Sequence, residues 1–238
     1  MFLRSLFTTL AFILFLFGIC AFATTSQANL IKPSLLLTAF DPFGVRTENH
    51  SIPVATALAE ILDEHFNVKL CILPTVYDQA SNQALTCYQE MEHKPQYAIS
   101  LGEGGFSCKV ELVEKAENFD DSLGYDNWGQ TRENQTILPG HPTWLPLKIT
   151  PEQLLQSVKP ENRDQIRLTL SAGNFVCNNT AYRLAHSWQE GQSPLFTFIH
   201  VPNSGCDPLM NDPNNVAEIL ADMILGLPRA VTGSGIKN

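Results

Sequence analysis

Two side chains stand where their chemistry would count, one sulfur and one imidazole. Cys177 lies in the stretch SAGNFVCNN (171–179), where an apolar run, 166–171, passes a turn at Gly173 into a helical pattern that begins near Phe175. His200 lies near the end of the apolar run Leu195–Val201, which stops at Pro202. In an open sheet flanked by helices, the carboxyl ends of strands and the amino ends of helices gather at one edge, where ligands bind. A thiol at a helix amino end has its thiolate stabilised by the helix dipole, and a neighbouring imidazole adds to that effect. Such a pair attacks carbonyl carbon and hands a proton to a departing amine, which is amide-bond cleavage. Backbone amides of the first helical turn, around Asn178 and Asn179, are placed to receive the oxyanion. The plain alternative for any single cysteine is a small buried hydrophobe.

The elements that must position this pair are legible around it. Ser34–Phe40 reads as a buried strand closing into the turn Asp41-Pro42-Phe43-Gly44, and 51–65 carries apolar residues at helical spacing. The alternation repeats with a strand at 67–74, a helix at 78–92 and a strand at 96–101 that runs into Gly102-Glu103-Gly104-Gly105. This predicts an α/β fold, a three-layer α/β/α sandwich around a mostly parallel twisted sheet. Residues 108–118 alternate between polar and apolar, as on a half-exposed strand near a sheet margin. The stretch 120–151, rich in Gly, Pro, Asn, Thr and Trp, is too long for a simple connection and is expected to fold over the site. A short helix at 151–159 capped by Thr150 and a closing helix at 214–225 complete the pattern.

Composition narrows the class. The chain has 238 residues and a net charge of −9, without a Lys/Arg-rich stripe, so nucleic acid is not an expected partner. Arg4 precedes an uncharged apolar run from Leu6 to about Ala23, the pattern of a secretory signal, with small residues at Ala21, Ala23, Ser26 and Ala28 offering cleavage sites. The expected organisation is a signal peptide over 1–28 and one domain over 29–238, exported to the periplasm or beyond and without stable membrane contact once cleaved. An uncleaved anchor is the alternative, because the run approaches the roughly 18 to 20 residues that span a bilayer. Cys20 follows Ile19, not the small residue that usually precedes a lipid-attachment cysteine. Beyond the leader remain Cys71, Cys87, Cys108, Cys177 and Cys206, an odd set without metal-binding or redox spacing.

These residues resemble one family, the pyroglutamyl peptidase I (pyrrolidone-carboxylate peptidase) cysteine peptidases. The likeness rests on TAFDPFG (38–44) with Asn49 and Ser51, on LGEGG ending at Gly105, on SAGNFVCNN and on FIHVP (198–202), and it spans about residues 34 to 226. The resemblance implies removal of an N-terminal pyroglutamyl residue from a peptide substrate, with Cys177 as nucleophile, His200 as base and a glutamate orienting the imidazole. Glu114 is the expected glutamate, from its distance to Asp126-Asn127, with Glu111 as competitor. The family also implies a lactam pocket lined here by Phe40, Phe43, Phe175 and Val176, for which ordinary core packing is the competing reading. It implies no metal and no organic cofactor, and leaves room for a homo-oligomer whose interface the sequence does not reveal. In a secreted member Cys177 must stay reduced, which leaves the other four cysteines for disulfides. Cys108 and Cys206 each follow a site segment and are expected to pair or to lie near enough to influence the site; the alternative is four inert small hydrophobes. Ala39 stands where the family has glycine, His50 where it has proline, and 122–125 lacks the arginine common before Asp-Asn. Those departures sustain a second reading, a catalytically silent or substrate-diverged relative that binds peptide or cell-envelope fragments.

Other signals carry less. The glycine-rich turn lacks dinucleotide and Walker spacing. His65, His93, His141 and His186 have no paired spacing for a metal, and Trp128 and Trp144 are divided between lining a cleft and packing inside.

Overall fold

The computed structural model describes residues 32–104, 107–189 and 193–227. The expected leader at 1–28 lies outside these residues, as does Gly105.

The apolar runs become strands because their β-branched and long aliphatic side chains are buried on both faces. The strands are β1 (Ser34–Phe40), β2 (Asn67–Leu73), β3 (Tyr97–Glu103), β4 (Val110–Val113), β5 (Lys115–Glu117), β6 (Asp120–Ser122), β7 (Arg132–Gln135), β8 (Trp144–Pro146), β9 (Ile166–Thr169) and β10 (Leu195–Val201). Six form the main sheet in the order β2-β1-β3-β10-β4-β9, and every neighbouring pair is parallel except β10 with β4. The helices are α1 (Ser51–Leu62), α2 (Gln79–Glu90), α3 (Pro151–Leu155), α4 (Val176–Ser187), α5 (Pro208–Asn211) and α6 (Pro213–Leu225).

Period-two alternation sorts the strand side chains onto two cores. Leu35, Leu37, Ile99, Leu101, Ile199 and Val201 face one side, where α1 and α6 contribute Val54, Leu58, Val216 and Leu220. Leu36, Ala98, Phe196 and Phe198 face the other, packed by Ala80 and Ala84 of α2 and by Ala181, Tyr182 and Leu184 of α4. The result is the expected three-layer sandwich with a mostly parallel sheet.

Three local expectations change. Residues 108–118 are not one half-exposed marginal strand: β4 is buried at every position, inside the sheet between β10 and β9, and β5 leaves to pair with β8. The sheet margin on this side belongs to β9, where Leu168 is exposed. The helix expected over 151–159 ends at Leu155 and is followed by a 3-10 turn over Pro160–Gln165. Its start is as expected, because Thr150 and Gln153 form a reciprocal capping box.

The long stretch after β6 does fold over the carboxyl edge of the sheet. Asp126 gathers the backbone N–H groups of Tyr77, Trp128 and Gln130, and the Asn127 amide donates to Asp41 Oδ1 and the Pro42 carbonyl. The Asp-Asn pair thereby clips the stretch to the turn after β1. Two disulfides, Cys71–Cys87 and Cys108–Cys206, staple the described chain. The second joins the lead-in of β4 to the exit of β10.

Candidate active site

Cys177 is the second residue of α4, and His200 the next-to-last residue of β10. On β10, Ile199 and Val201 point into the α1/α6 core, so the alternation turns His200 to the face covered by α4. The imidazole and the Cys177 sulfur meet there over Gly102, where an added Cβ would lie 3.0 Å from Cys177 Sγ and 3.1 Å from His200 Cδ2. Cys177 is the one unpaired cysteine among the described residues.

The carboxylate that the structure brings to His200 is Glu111, not the expected Glu114. Glu111 and His200 are direct register partners across the antiparallel β4–β10 ladder, and Glu111 Oε2 lies 3.4 Å from His200 Nδ1. Glu114 follows the end of β4 and is exposed. The physical reason is parity. Val110 and Leu112 face the α1/α6 core, so Glu111 faces the opposite side with His200, whereas Glu114 belongs to the other parity and lies beyond the ladder. That alternation is visible in the sequence, where motif spacing nonetheless favours Glu114.

The electrostatics follow from this triangle. Burial works against a charged His200, but hydrogen bonds and charge from Cys177 and Glu111 outweigh it and raise the imidazole to about 9 from 6.5. The hydrogen bond with His200 is the chief cause that lowers the Glu111 carboxyl, against the opposing effect of burial, with charge from His200 and Arg167 adding to it. Arg167 Nη2 reaches Glu111 Oε1 at 2.8 Å, so the carboxylate is held at both oxygens.

A cavity of ≈ 660 Å³ opens beside the pair, with Phe40, Phe43 and Phe175 in its wall and Ser122, Gly124 and Tyr125 of the long stretch closing one side. Phe43 and Phe175 have ring centroids 6.0 Å apart, and Tyr77 braces Phe175 edge-on at 5.4 Å. Val176 does not line this cavity, contrary to expectation: it is fully buried in the α2/α4 core, because successive residues of a helix are turned by about 100°, which sends Val176 inward while Cys177 reaches the cavity. Trp128 and Trp144 are absent from the wall as well.

Several contributors were not legible as site residues. Glu103 lines the cavity, accepts the His50 backbone N–H at 2.6 Å and pairs with Arg46. Gly102 is a clearance: a Cβ there would meet Phe198 Cζ at 2.9 Å, Cys177 Sγ at 3.0 Å and His200 Cδ2 at 3.1 Å. The side chains of Asn178 and Asn179 face away from the chemistry. Asn178 bonds the backbone of Glu117 and Phe119, and Asn179 bonds Asp78 and Asp120. The Asn179 N–H already donates to the Phe175 carbonyl, which leaves the earlier amides of the turn for an oxyanion. Behind the pocket, Arg132 pairs with both Asp78 and the fully buried Asp120, whose carboxyl burial raises to about 6. Among the described residues no group of three or more metal-ligating side chains comes together.

The model of the pyroglutamyl peptidase family matches residues 33–226. The chain belongs to this family. It is therefore a member of a cysteine peptidase family, and its relatives agree in extent. The pyrrolidone-carboxylate peptidase of Gloeobacter violaceus is 32% identical over 172 residues, 71% of this chain and 80% of that protein. Pyrrolidone-carboxylate peptidase 1 of Caldanaerobacter subterraneus is 27% identical over 198 residues, 83% of this chain and 95% of that one. In fold, this family member superposes on the pyroglutamyl peptidase I of Bacillus amyloliquefaciens with a TM-score of 0.70 at 23% identity, covering 87% of this chain and 100% of the other. It superposes on the pyrrolidone carboxyl peptidase of Pyrococcus furiosus with a TM-score of 0.71 at 24% identity, covering 83% and 99%.

Proposed function

We propose that this chain removes an N-terminal pyroglutamyl residue from peptides through Cys177, His200 and Glu111. The observation that carries the reading is the meeting of thiol, imidazole and carboxylate at the mouth of a cavity walled by aromatic rings. A lactam is neutral and compact, so it suits apolar walls and needs no countercharge.

In this mechanism His200 takes the thiol proton, and the Cys177 thiolate attacks the pyroglutamyl carbonyl carbon. Free backbone amides at the start of α4 hold the developing oxyanion. As the tetrahedral intermediate collapses, the carbon–nitrogen bond breaks and the imidazolium delivers its proton to the departing amine. Water, deprotonated by His200, then hydrolyses the thioester and regenerates the thiol. Glu111 keeps Nδ1 protonated and stabilises the imidazolium, and Arg167 fixes the Glu111 rotamer.

The reading extends to export. The uncharged apolar run after Arg4 and the two disulfides both favour an oxidising compartment, with Cys177 the thiol kept free for chemistry. No helix among the described residues is long and apolar enough to cross a membrane.

The test is hydrolysis of a pyroglutamyl fluorogenic amide, with prolyl and alanyl amides as controls, by the wild type and by Cys177→Ala and His200→Ala. Turnover of the pyroglutamyl amide alone, lost by about a thousandfold or more in each variant while the circular dichroism spectrum is retained, is expected. Wild-type rates surviving in either variant would defeat the mechanism.

A further inference from the structure

Resting on the peptidase reading above, we infer that Arg167 and Arg163 form a subsite for an acidic side chain on the leaving peptide, so that the enzyme prefers substrates in which Asp or Glu follows the pyroglutamyl residue.

The direction of the leaving group comes from the chemistry. His200 must reach the departing amine, so the peptide leaves on the imidazole's side, away from the Phe43–Phe175 pair. Glu111 and Arg167 line the same cavity as Cys177 and His200 and pair with one another. Arg167 belongs to the wall of the cavity and also to that of an adjoining depression of ≈ 550 Å³, which contains Arg163. A chain departing past His200 therefore crosses Arg167 into a space that holds a second guanidinium.

The availability of these donors sets them apart from the other arginines near the cavity. Arg46 is engaged by Glu103, and Arg132 by Asp78 and Asp120. Arg167 commits Nη2 to Glu111, and its side chain is 53% exposed, leaving donors of the planar fork free for a second carboxylate. Arg163 is exposed and has no ion-pair partner among the described residues. Glu152, in the first turn of α3, shares the depression as an exposed carboxylate with no ion-pair partner among the described residues. Because β9 is the last strand of the sheet, no further strand fills the space beside these side chains.

The experiment compares kcat/KM of the full chain on pyroglutamyl-glutamic, pyroglutamyl-alanyl and pyroglutamyl-lysyl dipeptide amides, in which only the second side chain differs. The wild type should favour the glutamic over the alanyl amide by about fivefold at low salt, the upper range for a half-exposed ion pair. The preference should shrink as ionic strength rises. Arg167→Gln will slow all three substrates by loosening Glu111, so the readout is the ratio, which should fall to about one. Arg163→Glu should reverse the order in favour of the lysyl amide. A wild-type ratio near one, or a ratio that persists in both variants, overturns the subsite while the peptidase reading stands. Failure to cleave any of the three overturns both.

Discussion

Glu111 and His200 sit opposite one another on the antiparallel β4–β10 ladder, with Glu111 Oε2 3.4 Å from His200 Nδ1 and Glu111 Oε1 2.8 Å from Arg167. The carboxylate is thus fastened between a guanidinium and an imidazole. β10 is parallel to β3 on its other side, so the one antiparallel pairing in the sheet is the one that brings this glutamate to the histidine.

Glu111→Gln keeps the shape and removes the charge that holds the imidazolium. A fall in kcat of roughly 10²- to 10⁴-fold with little change in KM is expected, by the logic of a base-orienting carboxylate. Glu114→Gln, altering an exposed residue past the end of β4, should leave kcat within twofold. Steady-state kinetics on a pyroglutamyl amide separates the two, and the reverse pattern would return the role to Glu114.

Gly102→Ala probes the clearance between strand and pair. The added methyl would press on the Cys177 sulfur, the His200 ring and Phe198. Activity should drop at least a hundredfold, since a misplacement of about 1 Å at the reacting atoms has that effect. The stability cost should be about 1 to 3 kcal/mol, the usual range for overpacking. Chemical denaturation paired with kinetics checks both, and a normal kcat in the Gly102→Ala enzyme would show that the pair tolerates displacement.

The two disulfides should differ in consequence. Cys108–Cys206 closes a sequence separation of 98 and joins the approach of the strand that carries Glu111 to the exit of the strand that carries His200, whereas Cys71–Cys87 closes 16 between β2 and α2. Removing either by paired serine substitution should cost about 2 to 4 kcal/mol. Loss of Cys108–Cys206 should also lower kcat, and loss of Cys71–Cys87 should not. Equal effects on kcat would mean that the second bridge has no special hold on the site.

The raised His200 value sets an alkaline limit. With the folded imidazole at about 9 against an ordinary 6.5, its contribution to stability is complete below about 6.5 and is lost as pH climbs through 9. Glu111 has the opposite sign: its lowered folded value makes its contribution present above the ordinary 4.5 and lost as pH falls through the folded value. Melting temperature against pH should therefore decline from pH 6.5 to 9 more steeply in the wild type than in His200→Ala. kcat/KM should fall on the alkaline side near 9. Parallel melting curves for the two proteins across that window would contradict the assignment.

Much of this was written along the chain. Alternating apolar runs and helical periods specified the layers, and the local rules that start a helix after Gly173 and end a strand before Pro202 placed Cys177 and His200 at the same edge. Those features depend on near neighbours and on backbone periodicity, which one sequence carries. The partner of His200 and the true pocket wall depend on which strand pairs with β10, in which direction and in which register. Tertiary packing decided those: it set β4 inside the sheet, chose Glu111 over Glu114, turned Val176 into the core and joined Cys108 to Cys206. Contacts between residues far apart in sequence arise from the burial of whole elements against one another, and no local pattern encodes the register that results.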